Sequence, residues 1–266
     1  MKKLFTFLLI SVLILCGCNE KSSLPVISEA DISSVSNAKL AWGLKKNKGA
    51  KPDANPGADK MLKEYGAYYV GDTSQKNIYL TFDEGYENGY TDDILDILKK
   101  HSVPACFFIT GPYLEKESDL VMRMVNEGHE VGNHTVNHPS LPTLQTVLEV
   151  EEELRSLDLS FYSLCQKNMK FMRPPMGEYS ERTLAIAQNM GYTTVFWSIA
   201  YVDWDTSKSQ GIDFVYRSVM DYLHDGAIIL MHAVSKDNAA ALEKIIIDAK
   251  SAGYTFKPIT ELSQPM

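Results

Sequence analysis

From residue 77 onward the chain alternates short apolar runs with longer stretches of helical period. The apolar runs are 78–82, 105–110, 130–134, 170–173, 193–198, 227–231 and 254–259. Each has the length of a strand, and the stretches between them (91–101, 113–127, 143–168, 181–190, 212–224 and 237–251) have the length of helices. Gly128, Gly191, Gly226 and Gly253 follow helical stretches, where a C-terminal cap favours glycine. Strand and helix alternating this often predict an α/β domain on a parallel sheet. Periodicity does not choose between an open sheet and a closed barrel. Residues 19–75 lack this order. They carry Pro25, Pro52, Pro56 and a polar basic loop at 45–52. The expectation is a tether over 19–40, then an irregular segment over 41–75 packed on the domain through Trp42, Tyr65, Tyr68 and Tyr69.

The polar punctuation is one-sided. Asp83-Glu84-Gly85 follows the first apolar run, and His134 ends the third, with His138 four residues on. Arg173-Pro174-Pro175 ends the fourth, Asp203-Trp204 follows the fifth, and His232 follows the sixth, just after Leu230. Reactive residue types thus gather after strands. In α/β folds the active site forms at the carboxyl ends of the strands, so the pattern points to an enzyme. His134 and His138 can turn both imidazoles to one metal, and the Asp83-Glu84 pair ends another strand. Two histidines and one carboxylate leave positions open for water and substrate. Zn²⁺ suits that set best, and Co²⁺, Ni²⁺ or Mn²⁺ also fit it.

Composition narrows the class. With 45% hydrophobic and 23% charged residues among 266, the chain has material for a sizeable core and is neither disordered nor fibrous. A formal charge of −8 lacks the footprint of a general nucleic-acid binder. Lys2 and Lys3 precede an apolar run over 4–15, a secretory signal pattern shorter than the ~20 residues of a membrane span. Leu15-Cys16-Gly17-Cys18 resembles a bacterial lipobox. In that reading residues 1–17 are removed and Cys18 is lipidated, which places the chain on the outer face of the cytoplasmic membrane. A plain cleaved signal and an uncleaved anchor are the alternatives. Cys106 and Cys165 are expected as two buried thiols.

Five ordered motifs resemble the NodB-type polysaccharide deacetylases, carbohydrate esterase family 4. They are Thr81-Phe82-Asp83-Glu84-Gly85, His134-Thr135-Val136-Asn137-His138, Arg173-Pro174-Pro175-Met176-Gly177, Asp203-Trp204 and Leu230-Met231-His232. The likeness covers residues 76–262, taken as the catalytic domain behind an 18–75 extension. The segment 82–91, Val195-Phe196-Trp197-Ser198 and the run from His232 to Ala239 are similar to the delta-lactam-biosynthetic de-N-acetylases in particular. The resemblance implies a distorted (β/α)₇ barrel and a metal-dependent amidohydrolase. It implies His134 and His138 as metal ligands, Asp83 as general base and Arg173 as the cation that orients it. His232 would be the general acid, tuned by Asp203. A backbone N–H near Tyr179 would meet the oxyanion, and Pro174, Trp204 and Leu230 would shape the substrate pocket.

The family's second acidic residue is usually a metal-binding Asp, and here it is Glu84. It could ligate after a backbone shift, swing away and leave a two-histidine site, or sit solvated at the pocket rim. Arg182 is the candidate for a lactyl carboxylate. Glu149–Glu153 reads as a solvated helix face, and His101, His129 and His224 read as structural. Three functions follow. The first is removal of acetyl from N-acetylmuramic acid in stem-free peptidoglycan, leading to muramic δ-lactam in spore cortex. The second is the same chemistry on N-acetylglucosamine in peptidoglycan or chitin-like oligomers. The third is a wall-binding lipoprotein with a degenerate site. A monomer acting on the glycan strand is expected.

Overall fold

The structure is a computed structural model that describes residues 29–262. The expected signal segment 1–17 and the lipid-bearing Cys18 lie outside the described residues. The strands are β1 (Leu40–Ala41), β2 (Leu44–Asn47), β3 (Ala50–Ala54), β4 (Asn77–Glu84), β5 (Ala105–Ile109), β6 (Glu130–Asn133), β7 (Phe171–Met172), β8 (Glu178–Tyr179), β9 (Thr193–Thr194), β10 (Ile228–His232) and β11 (Thr255–Phe256). Seven of them form one parallel sheet, in the order β10-β4-β5-β6-β7-β9, with β11 also paired to β4. A parallel bridge between Ile199 and Ile229 links the chain beyond β9 back to β10. The sheet therefore curls into an incomplete barrel with helices outside, which is the distorted α/β barrel expected.

Successive side chains of a strand face opposite sides, and here the two sides have separate cores. Tyr79, Cys106, Phe108, Phe171, Val195 and Ile228 pack together inside the curl. Ile78, Leu80, Phe82, Phe107 and Ile109 join the larger core beneath the helices. The helix Thr91–His101 illustrates the outer layer. It buries Ile94, Leu95 and Leu98, begins with Asp92 and Asp93, and ends with Lys99, Lys100 and His101, so its charges oppose its dipole.

Two expected helices change shape. The stretch 113–127 is two helices, Gly111–Lys116 and Ser118–Asn126, divided at Glu117. The stretch 143–168 becomes helical only at Val147, because Thr146 and Glu149 form a capping box there. Glu149 is thus a cap and not merely a solvated charge.

The segment 41–75 is not irregular. β2 and β3 form an antiparallel hairpin, turned through Gly49 at φ 64°, and a helix follows at Ala58–Glu64. A basic, polar turn hid this hairpin from the apolar pattern. Tyr68 and Val70 then bridge to Val195 and Ala227. Trp42, Tyr65 and Tyr69 are buried, whereas Tyr68 is half-buried. Part of the expected tether is also placed, since the helix Glu29–Ser34 buries Ile32. Cys106 is buried and Cys165 only half-buried, and neither is in a disulfide.

Candidate active site

The site lies where β4, β6 and β10 end. Register sets its first contact, because His232 stands beside Asp83 across the parallel β10–β4 pair. Asp83 faces the inside of the curl, as Tyr79 and Thr81 do before it. Arg173 reaches it from the end of β7. This guanidinium is 0% exposed. Its Nη1 meets Asp83 Oδ1 at 2.6 Å, and Nη2 donates to Thr81 Oγ1 at 2.9 Å and to the Phe196 carbonyl at 3.2 Å. Its Nε donates to the Val195 carbonyl at 2.9 Å, and the group lies 4.2 Å from the centre of the Phe108 ring. A buried arginine this fully engaged aims one carboxylate firmly. Burial works against the charge on Asp83, but Arg173 above all, with His134 and His232, holds its pKa below the usual carboxylate range.

His134 and His138 converge with ring centres 4.8 Å apart and planes at 71°. His134 Nδ1 lies 2.8 Å from the Arg173 carbonyl, so it carries the proton and leaves Nε2 as a free lone pair, 3.6 Å from Asp83 Oδ2. Burial lowers the His134 pKa to about 4 and lowers that of His138, so both are neutral donors near neutral pH. The loop between them is strained, with φ of 68° at Thr135 and 55° at His138. Hydrogen bonds hold that strain. Asn133 Oδ1 accepts from the Thr135 N–H at 2.9 Å, and Thr135 Oγ1 accepts from the His138 N–H at 3.0 Å. Glu153 accepts from both the Asn137 N–H and its side-chain amide at 2.8 Å. Glu153 is therefore a clamp on the histidine loop, which its place in an acidic helix run concealed.

His232 and Asp203 make the second charged pair. His232 Nδ1 donates to Asp203 Oδ1 at 2.7 Å, and the His232 backbone N–H donates to Oδ2 at 2.8 Å. Burial opposes the imidazolium, but the hydrogen bond and charge of Asp203 outweigh it and raise the His232 pKa. Asp83, with its lowered pKa, and His232, with its raised one, thus face one cleft. Such divergence suits a pair that divides acid and base work.

The cleft encloses about 620 Å³ and is lined by Asp83, His134, His138, His232, Trp204 and Leu230, among others. Trp204 is 59% exposed at the mouth. The side chains of Tyr179, Pro174 and Arg182 do not line the cleft, while the oxyanion donor expected near Tyr179 is a backbone N–H and not a side chain. Tyr179 is buried against Phe196 and pairs with Leu40 in the β1–β8 ladder. Pro174 is buried and does not line the cleft. Met176 and Gly177 of the same turn line it instead. Gly177 has φ 65°, and a Cβ there would come within 2.8 Å of Trp197, so this turn tolerates only glycine. Arg182 lies outside the cleft lining and donates to the Leu144 carbonyl at 3.0 Å.

Glu84 is the main correction. Being one residue beyond Asp83 on the same strand, it faces the opposite side of the sheet, beneath the helices. It is 0% exposed, and neither carboxyl oxygen has a hydrogen-bond partner. It neither lines the cleft nor joins the histidines. Among the described residues no group of three or more His, Cys, Asp and Glu side chains converges to hold a metal. The neutral imidazoles of His134 and His138 fit a divalent ion, and Glu84 does not. Bound there, such an ion would polarise an amide carbonyl and acidify water.

Burial foremost, then the charges of Glu87 and Asp83, push the Glu84 pKa well above the carboxylate range. A raised folded-state pKa stabilises fully below the unfolded value of about 4.3 and is lost as pH rises toward the folded one. Glu84→Gln removes that loss. Its urea midpoint, relative to wild type, is expected to be higher at pH 8 than at pH 4.5. An unchanged difference between the two pH values would show that Glu84 is ionised in the fold.

A carboxylate with a lowered pKa, an imidazole with a raised one and two neutral imidazoles share one cleft at the carboxyl ends of a curled parallel sheet, an arrangement suited to a hydrolase. Residues 70–195 match the polysaccharide deacetylase family. The chain is 43% identical over 235 residues to the peptidoglycan-N-acetylmuramic acid deacetylase PdaA of Bacillus subtilis, covering 88% of this chain and 89% of that protein. The structure of that protein, a family 4 carbohydrate esterase, matches with a TM-score of 0.83 over 86% of this chain and 98% of its own. A family 4 carbohydrate esterase from Bacillus anthracis matches with a TM-score of 0.73 at 42% identity, over 86% and 97% of the two chains. The chain belongs to the polysaccharide deacetylase family, whose members are de-N-acetylating hydrolases.

Proposed function

We propose that the enzyme removes the acetyl group from N-acetylmuramic acid in peptidoglycan whose peptide stem is absent. The observation that carries this reading is the match to PdaA along nearly the whole of both chains, with both acid–base pairs facing one cleft. Asp83, aimed by Arg173, takes the proton from the attacking water. His232 gives its Nε2 proton to the departing amine. Acetate and a free muramic amine result, and condensation of the neighbouring lactyl carboxyl with that amine, with loss of one water, gives the δ-lactam of spore cortex. His134 and His138 would hold a divalent ion, and Zn²⁺ would suit two imidazoles. The residue pattern of the N-terminus supports export and a lipid anchor at Cys18, on the outer face of the cytoplasmic membrane.

One observation favours a second reading. The described residues lining the cleft include no lysine or arginine to pair with a lactyl carboxylate, which suits N-acetylglucosamine. Acetate release with Zn²⁺ or Co²⁺ separates the two. Stem-free peptidoglycan is expected to yield acetate and a muramic δ-lactam by mass spectrometry. Deacetylation confined to glucosamine would establish the second reading, and no acetate from either sugar would refute both.

A further inference from the structure

Behind His232 stands a side chain outside the chemistry described so far. Asn238, in the first turn of the helix Lys236–Ser251, is fully buried. Its Nδ2 donates to Asp203 Oδ2 at 2.6 Å and to the His232 carbonyl at 2.9 Å. Its Oδ1 accepts from the Tyr201 hydroxyl at 2.8 Å. One amide orientation satisfies all three partners. The NH₂ must face the carboxylate and the carbonyl, which only accept, and the oxygen is left for the phenol. Ser235 Oγ also accepts from the Asn238 backbone N–H at 3.3 Å, so main chain and side chain are both tied.

The consequence falls on the acid. An unclamped aspartate turns about its terminal torsion, and its two oxygens exchange places. Here Oδ2 is held by Asn238 and the His232 N–H, so Oδ1 stays with the imidazole Nδ1–H. That leaves Nε2 for the cleft.

We propose that Asn238 is a positioning residue for the general acid, acting through Asp203 to fix the tautomer and aim of His232, with the Tyr201 hydroxyl fixing Asn238 in turn. Tyr201 also lines the cleft, so the acid and the substrate wall share one network. The charged groups that bear on His232 are Asp203, Asp83, Arg173 and His138. Of these four charged groups, Asn238 touches only Asp203, and its replacement also removes the bonds to the His232 carbonyl and the Tyr201 hydroxyl. The inference rests on the deacetylase reading of the site.

The test uses Asn238→Leu, which keeps the bulk and removes the amide, and two substrates. Acetate release from stem-free peptidoglycan needs a proton delivered to the leaving amine. Cleavage of 4-nitrophenyl acetate does not, because nitrophenolate leaves unaided. The expected result is a fall of about 10–100-fold in kcat on the glycan, with KM within about twofold and the ester rate within about threefold. Asn238→Ala also removes the amide and is expected to show the same selectivity. It carries the comparison if Asn238→Leu does not fold. Equal losses on amide and ester, or an unchanged kcat on the amide, overturn the proposal. Wild type inactive on the glycan but active on the ester overturns the deacetylase reading, and this inference with it.

Discussion

Asp83→Asn is expected to slow acetate release by about 10²–10⁴-fold, the range a positioned general base contributes. The substitution keeps shape and leaves the oxygen that faces Arg173, but the amide cannot take a proton from water. Arg173 is 0% exposed, so the variant also leaves a buried cation facing a neutral group. A loss of stability therefore accompanies the loss of rate, and the two need separate measurement. Rate is read from acetate release on protein shown to be folded by circular dichroism, and stability from urea unfolding. A folded Asp83→Asn protein retaining more than a tenth of the wild-type rate would remove Asp83 from the base role. Because the folded pKa of Asp83 lies below its unfolded value, its stabilisation is present above about pH 4 and lost as pH falls further. Asp83→Asn is expected to lose that acid-side dependence.

Arg173→Met has the largest expected effect on stability, a loss of about 3–5 kcal/mol, because one partner of a buried pair is removed and the other stays behind. Asp83 would lose its cation, and the carbonyls of Val195 and Phe196 would lose a donor. Methionine fills much of the space, so lost packing is a minor part of the change. The double variant Asp83→Asn, Arg173→Met is expected to be more stable than the sum of the single losses predicts, since no unpaired charge remains. Strict additivity in the urea midpoints would show that the two side chains do not act as a pair. Arg173→Lys is expected to rescue little, because one ammonium cannot reach Asp83, Thr81 and two carbonyls together.

Much of the fold was legible because strand and helix periods differ and because glycine marks helix ends. The seven apolar runs all became strands of the curled sheet, although 170–173, 193–198 and 254–259 form strands of only two residues each. The hairpin at 44–54 was not legible. Its strands are short, charged and largely exposed, so no apolar alternation announces them. Asp83, His134, His138, Arg173, Asp203 and His232 were found from motif and position, and the structure brings all six together at one end of the sheet. Thr81, Glu153, Tyr201 and Asn238 act by holding other site residues. Partners separated by up to 92 positions leave no local spacing to read.

By itself the sequence determined which segments become strands, that reactive side chains follow them, and which chemistry those side chains can perform. These properties follow from local period and residue type. Only the tertiary structure decided that neighbouring carboxyls part company, Asp83 into the cleft and Glu84 beneath the helices. Only the tertiary structure made Met176 and Gly177, and not Pro174, part of the wall of the site. The physical reason is that side-chain direction depends on where a strand ends and what packs on each face. That choice belongs to the assembled sheet and not to any one segment.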